Sequence, residues 1–395
     1  MVTAVALLAC PYCYERFAEK QIEFRCTGRA GPGGTTCTRA RDQKLADRIG
    51  LSTPMAPAFA ADGRKLTATC PQCKGSTQYR ICPRCHSQLP VHFGKVDNRL
   101  IAMIGAKESG KTVYLTVLIH ELMHRVGHQF DASVVGSDDN TRRQFTADYE
   151  ERLYQRRELF PTTRSAGATR NQRAPLVFRF TRDRKGLIGS RPAHSILSFF
   201  DTAGEDLVSE DSVHLNTRYL ASADGIILLL DPLQMRGARR LALADAPAPN
   251  GTGYDTPVNV LSRVTELLRT GLHRPSARIR TPIAVAFSKI DTLRHTFPDG
   301  SPLRRQPSTR PVFDSADSRA VHEDVQALLQ KWDGTQLDHI LRLGYDRYRY
   351  FALSALGDSP TADRRVAEHG ITPYRVQDPF LWLLSELGTI PATRD

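Results

Sequence analysis

The order of apolar and polar residues divides most of the chain into alternating strands and helices. Arg99-Leu-Ile-Ala-Met-Ile-Gly105 is an apolar run closed by glycine, and it reads as a buried strand. The segment Val113–Val126 repeats its apolar residues at helical spacing, through Leu115, Leu118, Ile119, Leu122 and Val126. Pro175–Phe180 and Ser195–Phe200 read as paired strands. Gly225-Ile-Ile-Leu-Leu-Leu230 has no polar position, which predicts a central parallel strand buried on both faces. Pro282–Phe287 and Tyr350–Leu353 complete the set. Strands separated by helix-length segments predict a three-layer α/β sheet over residues 98–395. Residues 236–258 and 296–320, rich in Pro with Ala/Gly or Ser/Arg, interrupt the pattern and read as surface insertions. Asp378–Leu387 reads as an amphipathic helix with an aspartate cap, packed on the sheet rather than on a membrane.

Composition sharpens this picture in one region. A chain of 395 residues with 41% hydrophobic content has room for a large domain plus a small one, and it is too apolar to be disordered. No apolar run reaches the roughly 18–20 residues of a membrane span. All eight cysteines fall at 10, 13, 26, 37, 70, 73, 82 and 85, which sets residues 1–97 apart as a small cysteine-rich module. No basic segment precedes the short apolar start Val5-Ala-Leu-Leu-Ala9, so the expected compartment is the cytoplasm and the expected role of the cysteines is metal ligation.

Cys70-Pro-Gln-Cys73 and Cys82-Pro-Arg-Cys85 are two knuckles of the kind that offer a pair of thiolates to one zinc ion, as in a zinc ribbon. Cys10-Pro-Tyr-Cys13 is a third, leaving Cys26 and Cys37 to close its site. Two zinc ions would use every cysteine. Pairing in sequence order is the simplest arrangement, and an interleaved one stays open. Residues 1–95 of this module carry 14 basic and 6 acidic residues, a large share of the chain's net +12. Two tetrathiolate zinc sites would each contribute a formal −2, so the nucleic-acid reading that such charge invites, with Tyr79, Arg80 and Arg84 as contacts, ranks below protein docking.

The strand ending at Gly105 runs into Gly105-Ala106-Lys107-Glu108-Ser109-Gly110-Lys111-Thr112 and then into the helical segment. This G-x-x-x-x-G-K-T order, between a strand and a helix, is a phosphate-binding loop: backbone N–H groups face phosphate oxygens at a helix N-terminus, Lys111 reaches the β- and γ-phosphates, and the Thr112 hydroxyl binds Mg²⁺. Downstream strands end in Asp201-Thr-Ala-Gly204, Ser288-Lys289-Ile-Asp291 and Ser354-Ala355-Leu356. His120-Glu-Leu-Met-His124 has the zinc-protease spacing, but it lies on the helix after the phosphate loop, opposite the apolar stripe, and is expected to be two solvent-facing histidines.

The set GAKESGKT, DTAG, SKID and SAL resembles the successive nucleotide boxes of the Ras-like, translation-factor-related P-loop GTPases. With the N-terminal zinc knuckles and DTAGED, the chain also resembles a bacterial double-GTPase family of conflict, or anti-phage, systems. The resemblance implies a three-layer GTPase sheet preceded by the zinc module, with GTP or GDP and Mg²⁺ as cofactors. It implies that Asp201 holds Mg²⁺ through water and that the Gly204 N–H meets the γ-phosphate. Asp291 would accept two hydrogen bonds from guanine while the Lys289 stem covers the base, and the Ala355 N–H would meet O6. Adenine lacks both donors for Asp291, which predicts a guanine preference of about a hundredfold. Glu205 stands where relatives carry a water-orienting glutamine, which predicts slow intrinsic hydrolysis. The switch I threonine is Thr162 or Thr163, with Thr163 preferred, and Arg164, Arg170 and Arg173 follow it. The implied function is a GTP-binding switch acting through protein partners, among them a second GTPase or associated proteins. The alternatives are a non-hydrolysing scaffold and a nucleic-acid-dependent NTPase.

Overall fold

The computed structural model describes residues 7–49, 53–106, 108–161, 175–185, 190–199, 218–243, 246, 256–270, 277–361 and 363–393. The N-terminal part is built from short strands: β1 (Leu7–Ala9), β2 (Arg16–Ala18), β3 (Glu23–Arg25), β4 (Ala58–Ala60), β5 (Ala68–Thr69), β6 (Ser76–Thr77) and β7 (Arg80–Ile81), with a 3₁₀ turn, Glu19–Gln21, and an α-helix, α1 (Gln43–Ile49), among the described residues. They form two two-stranded sheets and the three-stranded sheet β4-β3-β7. Such short strands bury little apolar area, so this part depends on its cysteines for cohesion.

A seven-stranded sheet follows, made of β8 (Asp97–Gly105), β9 (Ala132–Gly136), β10 (Leu176–Lys185), β11 (Ser190–Phe199), β12 (Gly225–Leu230), β13 (Ile283–Phe287) and β14 (Tyr348–Ala352). Its order is β14-β13-β12-β8-β11-β10-β9. The run from β14 to β11 is parallel, whereas β10 and the edge strand β9 are antiparallel to their neighbours. Every side chain of β12 is buried. Ile226, Leu228 and Leu230 join the core on one face, and Ile227 and Leu229 join the core on the other. Each such side chain is worth about 1.5–3 kcal/mol of burial, which locks the sheet between its two helical layers.

One layer contains α2 (Lys111–Met123), α3 (Arg125–Gln129), α4 (Asp139–Gln144) and a π-helical stretch, Phe145–Gln155. The other contains α5 (Arg236–Leu241), α6 (Pro257–Arg269), α7 (Ser315–Lys331) and α8 (Thr335–Gly344). The last helix, α9 (Asp378–Glu386), buries Phe380–Leu384 against β12, β13 and β14, in the same core as α2. The single helix expected over 113–126 is broken at His124, whose backbone (φ −114°, ψ −95°) ends α2 and starts α3. Asp378 does not cap α9. It lies in the first turn, paired with Arg375, and Gln377 is the cap residue. No described helix is long and apolar enough to cross a membrane.

Candidate functional site

The phosphate loop is shaped by close packing. A Cβ on Gly105 would lie 2.2 Å from the Leu229 carbonyl oxygen of β12 and 2.7 Å from Ser109 Oγ, so only glycine leaves β8 here. Gly110 turns into α2 with φ +84°, the left-handed region that favours glycine. Ser109 is fully buried and its hydroxyl donates to the Ala106 carbonyl at 2.8 Å. Lys111 Nζ donates to the Gly105 and Ala106 carbonyls, each at 2.9 Å, which holds the ammonium across the loop mouth on acceptors that phosphate oxygens would replace. Lys111 and Thr112 are buried in the first turn of α2, where the leading backbone N–H groups have no intrahelical acceptor.

Strands β12, β13 and β14 bring the other motifs to the same end of the sheet. The Ser288 hydroxyl donates to the Ser109 carbonyl (2.9 Å) and to the Leu230 carbonyl (3.1 Å), tying the SKID segment to the phosphate loop. Lys289 has φ +54° and its ammonium pairs with the buried Asp231 at 2.6 Å. Asp291 opens a 3₁₀ turn, Ile290–Thr296, and the Ile290 N–H donates to the Leu353 carbonyl at 3.2 Å. Burial pushes the Asp291 carboxyl above its ordinary range, and a hydrogen bond with Ser354 partly opposes this. The Ser354 hydroxyl also accepts the Gly357 N–H at 2.9 Å, closing the Ser354-Ala355-Leu356 loop on itself. Gly105, Ala106, Glu108–Thr112, Ser288–Asp291 and Ser354–Leu356 therefore occupy one rim. Lys107, Thr163, Asp201, Gly204 and Glu205 lie outside the described residues, as do Thr162, Arg164, Arg170 and Arg173.

The cysteines form two tetrads, Cys10/Cys13/Cys82/Cys85 and Cys26/Cys37/Cys70/Cys73, each with its sulfurs within 4.8 Å of one another. The simplest, sequential pairing is thus replaced by the interleaved one. The reason is strand direction: β7 runs antiparallel to β3, so Cys82, past the end of β7, and Cys26, past the end of β3, lie at opposite ends of that pair. Nearest sulfur pairs are 3.9 and 3.8 Å apart in the first tetrad and 3.6 and 3.7 Å in the second. A tetrahedral zinc ion with bonds of about 2.3 Å needs sulfurs about 3.8 Å apart, so both tetrads fit it. The knuckles share one backbone design. Tyr14, Lys74 and His86, each just after the second cysteine, have φ near +60° and donate their N–H to the first cysteine's carbonyl at 3.0 Å. Burial pushes the Cys10 thiol well above its ordinary range, while hydrogen bonds from Cys10, Cys13 and Cys82 pull Cys85 down. A divalent cation is what would let all four ionise together.

The first tetrad is built against the large sheet and shares a core with Val177 of β10 and Ile196 of β11. Its knuckle accepts a hydrogen bond from Ser198 at the Pro11 carbonyl (2.7 Å) and one from Ser222 at the Tyr14 carbonyl (2.8 Å). Tyr12 donates to Asp138 at 2.6 Å, and the Tyr14 ring packs on Tyr219 with centroids 4.8 Å apart. Nothing in the sequence marks these contacts, because each depends on which strand faces the knuckle. Arg80, expected at a nucleic-acid surface, is instead buried and donates to the Phe93 and Gly63 carbonyls, whereas Tyr79 and Arg84 are exposed.

The H-E-x-x-H pair holds no metal constellation: among the described residues the two cysteine tetrads are the groups able to hold an ion. His120 is not solvent-facing. It is half-buried, bonded to Glu150 at 3.0 Å and stacked between Tyr154 and His124. His124 is exposed.

Comparison with known proteins supplies the remaining findings. Residues 99–342 match the model of a family described as Double-GTPase 2. A Mycolicibacterium smegmatis protein provisionally named ESX-1 scaffolding and assembly protein SaeC is 27% identical over 411 residues, covering 96% of this chain and 99% of that protein. Among solved structures, the GTP-bound GTPase-like domain of Ski7 from S. cerevisiae is similar at 15% identity and a TM-score of 0.32, over 75% of this chain and 52% of that one. The small GTPase Arl6 from Trypanosoma brucei is similar at 13% identity and 0.28, over 74% and 98%.

Proposed function

The chain belongs to the Double-GTPase 2 family, and from that premise we propose that it is a GTP-binding, slowly hydrolysing molecular switch whose N-terminal module carries two structural zinc ions. The observation that carries the reading is the Ser288 tether between the SKID segment and the phosphate loop, with the half-buried Asp291 hydrogen-bonded to Ser354. That joins a phosphate site to a carboxylate suited to guanine's paired donors.

In this reading Lys111 exchanges the Gly105 and Ala106 carbonyls for β- and γ-phosphate oxygens, and the first-turn N–H groups of α2 take up the remaining phosphate charge. Thr112 and Asp201, with Thr163, would hold Mg²⁺, which would supply charge neutralisation to the phosphates. By the family resemblance, the Gly204 N–H would meet the γ-phosphate. Glu205, the next residue in sequence, would add negative charge near the same oxygens and slow hydrolysis. The organisation we propose is a zinc module over 1–97 and a GTPase domain over 98–395, with insertions near 236–258 and 296–320. Thiolate ligands suit the reducing cytoplasm.

Protein partners are the proposed output. Resemblance to the double-GTPases of bacterial conflict systems supports a setting with a second GTPase. The scaffolding name of the M. smegmatis relative supports a second reading, in which the GTP-bound form is a non-hydrolysing scaffold, and Glu205 favours it too. Nucleic-acid dependence is weaker, because Arg80 is internal.

Three measurements on the purified chain test the proposal: nucleotide and zinc content, affinity for GTP against ATP, and single-turnover hydrolysis with and without candidate partners. The expected results are two zinc ions, a guanine preference of about a hundredfold, and turnover below roughly 1 s⁻¹ alone. Tighter ATP binding would overturn the guanine assignment, and absence of phosphate release under every condition would favour the scaffold.

A further inference from the structure

The two segments assigned to the guanine base, Ser288–Asp291 and Ser354–Leu356, are braced by a stretch that no nucleotide motif includes. Residue 374 forms a two-way backbone bridge with Ser354: the Ser354 N–H donates to the Tyr374 carbonyl at 3.0 Å and the Tyr374 N–H donates back at 2.8 Å. The Thr372 N–H donates to the Leu356 carbonyl at 2.9 Å, so the whole loop is backed by residues 372–374. On the other side, the Arg294 guanidinium sits 5.1 Å from the centre of the Tyr374 ring. Arg294 belongs to the 3₁₀ turn that carries Asp291. Tyr374 is thus held between both base-facing segments, one through its backbone and the other through its ring.

The next residue fixes the brace to the domain. Arg375 is buried, with φ +52°, and its guanidinium pairs with Asp317 of α7 at 2.7 Å and with Asp378 of α9 at 2.8 Å. It also donates to the Pro302 and Arg305 carbonyls at 3.2 Å, and the Tyr374 hydroxyl donates to the carbonyls of Leu303 and Arg305. An ion network of this kind keeps its geometry only when every member is present, since removing one leaves buried charge unpaired.

We propose that Tyr374 and Arg375 are positioning residues for guanine specificity, setting the separation between the Asp291 carboxylate and the Ala355 N–H so that both meet one base. The inference rests on the GTP-binding reading. It assigns selectivity partly to residues that touch no nucleotide. Guanine offers N1–H and its amine to Asp291 and O6 to Ala355, which requires a fixed spacing of the two segments. Adenine makes neither contact, so a shift in that spacing costs guanine nucleotides alone.

The test is titration of the full chain with GDP, IDP and ADP, comparing Arg375→Met and Tyr374→Phe with Arg25→Met. Arg25 is a buried arginine with a comparable network, to Asp42 and the Ala56 carbonyl, placed away from the base-facing loops. Arg375→Met should weaken GDP about tenfold or more, the equivalent of one charged hydrogen bond, while leaving ADP unchanged. Tyr374→Phe should shift the GDP/ADP ratio in the same direction by less, and it removes too little to unfold the chain. Arg25→Met should lower the melting temperature and leave the ratio alone. An unchanged GDP/ADP ratio in both the Tyr374 and Arg375 variants, whether the two nucleotides weaken equally or not at all, would overturn the proposal. A wild-type chain without GDP preference would instead overturn the functional reading beneath it.

Discussion

Replacing Asp291 by asparagine tests the base site most directly. The carboxylate is half-buried and hydrogen-bonds with Ser354 and with its own backbone N–H, while the Lys289 ammonium pairs with Asp231 at 2.6 Å. A carboxylate has about four lone-pair sites, enough to take guanine N1–H and the exocyclic amine in addition to these two bonds. Hydrogen bonds to a charged group are worth about 1.5–3 kcal/mol each. Asparagine keeps one acceptor and sets its NH₂ against a guanine donor, so both bonds are compromised. The expected loss is about 3–6 kcal/mol, or roughly 10²- to 10⁴-fold in GDP affinity. Xanthine carries a carbonyl where guanine has the amine, which matches the asparagine pair, so XDP binding should rise as GDP binding falls. Titration calorimetry with both diphosphates reads the two changes together. The wild-type protein also has a pH signature. Burial raises the Asp291 pKa, so the nucleotide-free protein is stabilised by protonation at acid pH and loses that stabilisation as pH rises through the folded pKa. Because guanine needs the ionised form, GDP binding should release a proton and weaken toward acid pH, and the asparagine variant should lack that slope. Retention of GDP affinity within tenfold, with no gain for XDP, would refute the assignment of Asp291 to the base.

Gly105→Ala places a methyl 2.2 Å from the Leu229 carbonyl and should cost about 1–3 kcal/mol of stability along with nucleotide binding, seen by thermal melting and GDP titration. Cys13→Ser and Cys73→Ser should each reduce zinc content from two ions to one by elemental analysis. The Cys13 variant should also lower the melting temperature of the large sheet, because its tetrad shares a core with Val177 and Ile196, whereas the Cys73 variant should not. His322 is held down to about 4 by burial, with the charge of Arg349 adding to it, and accepts the Tyr350 N–H at 3.0 Å. Its neutral form stabilises the protein above about 6.5, and that contribution is lost as pH falls toward 4. At full burial this would reach about 3 kcal/mol, and its partial exposure reduces that to about 2. His322→Gln should flatten this part of a pH–stability curve from chemical denaturation.

The strand at Gly225–Leu230 and the phosphate loop were legible because each is a local demand. A strand buried on both faces needs an unbroken apolar run, and a backbone that curls around phosphate needs glycine at fixed spacing. The eight cysteines likewise pointed to metal ligation, since C-x-x-C knuckles offer paired thiols at the spacing a tetrahedral cation takes. Which four cysteines come together was decided by the antiparallel run of β3 and β7, a relation between residues more than fifty positions apart. The break of α2 at His124, the partial burial of His120 against Glu150 and the internal placement of Arg80 are of the same kind. So is the brace formed by Tyr374 and Arg375, whose partners come from residues 294, 302, 303, 305, 317, 354 and 378. Taken alone, the sequence determined the chemistry this protein carries, because side-chain identity and short-range spacing fix what a motif can bind. The tertiary structure decided how those pieces are held relative to one another, because hydrogen bonds and buried ion pairs form between surfaces that only strand order brings together.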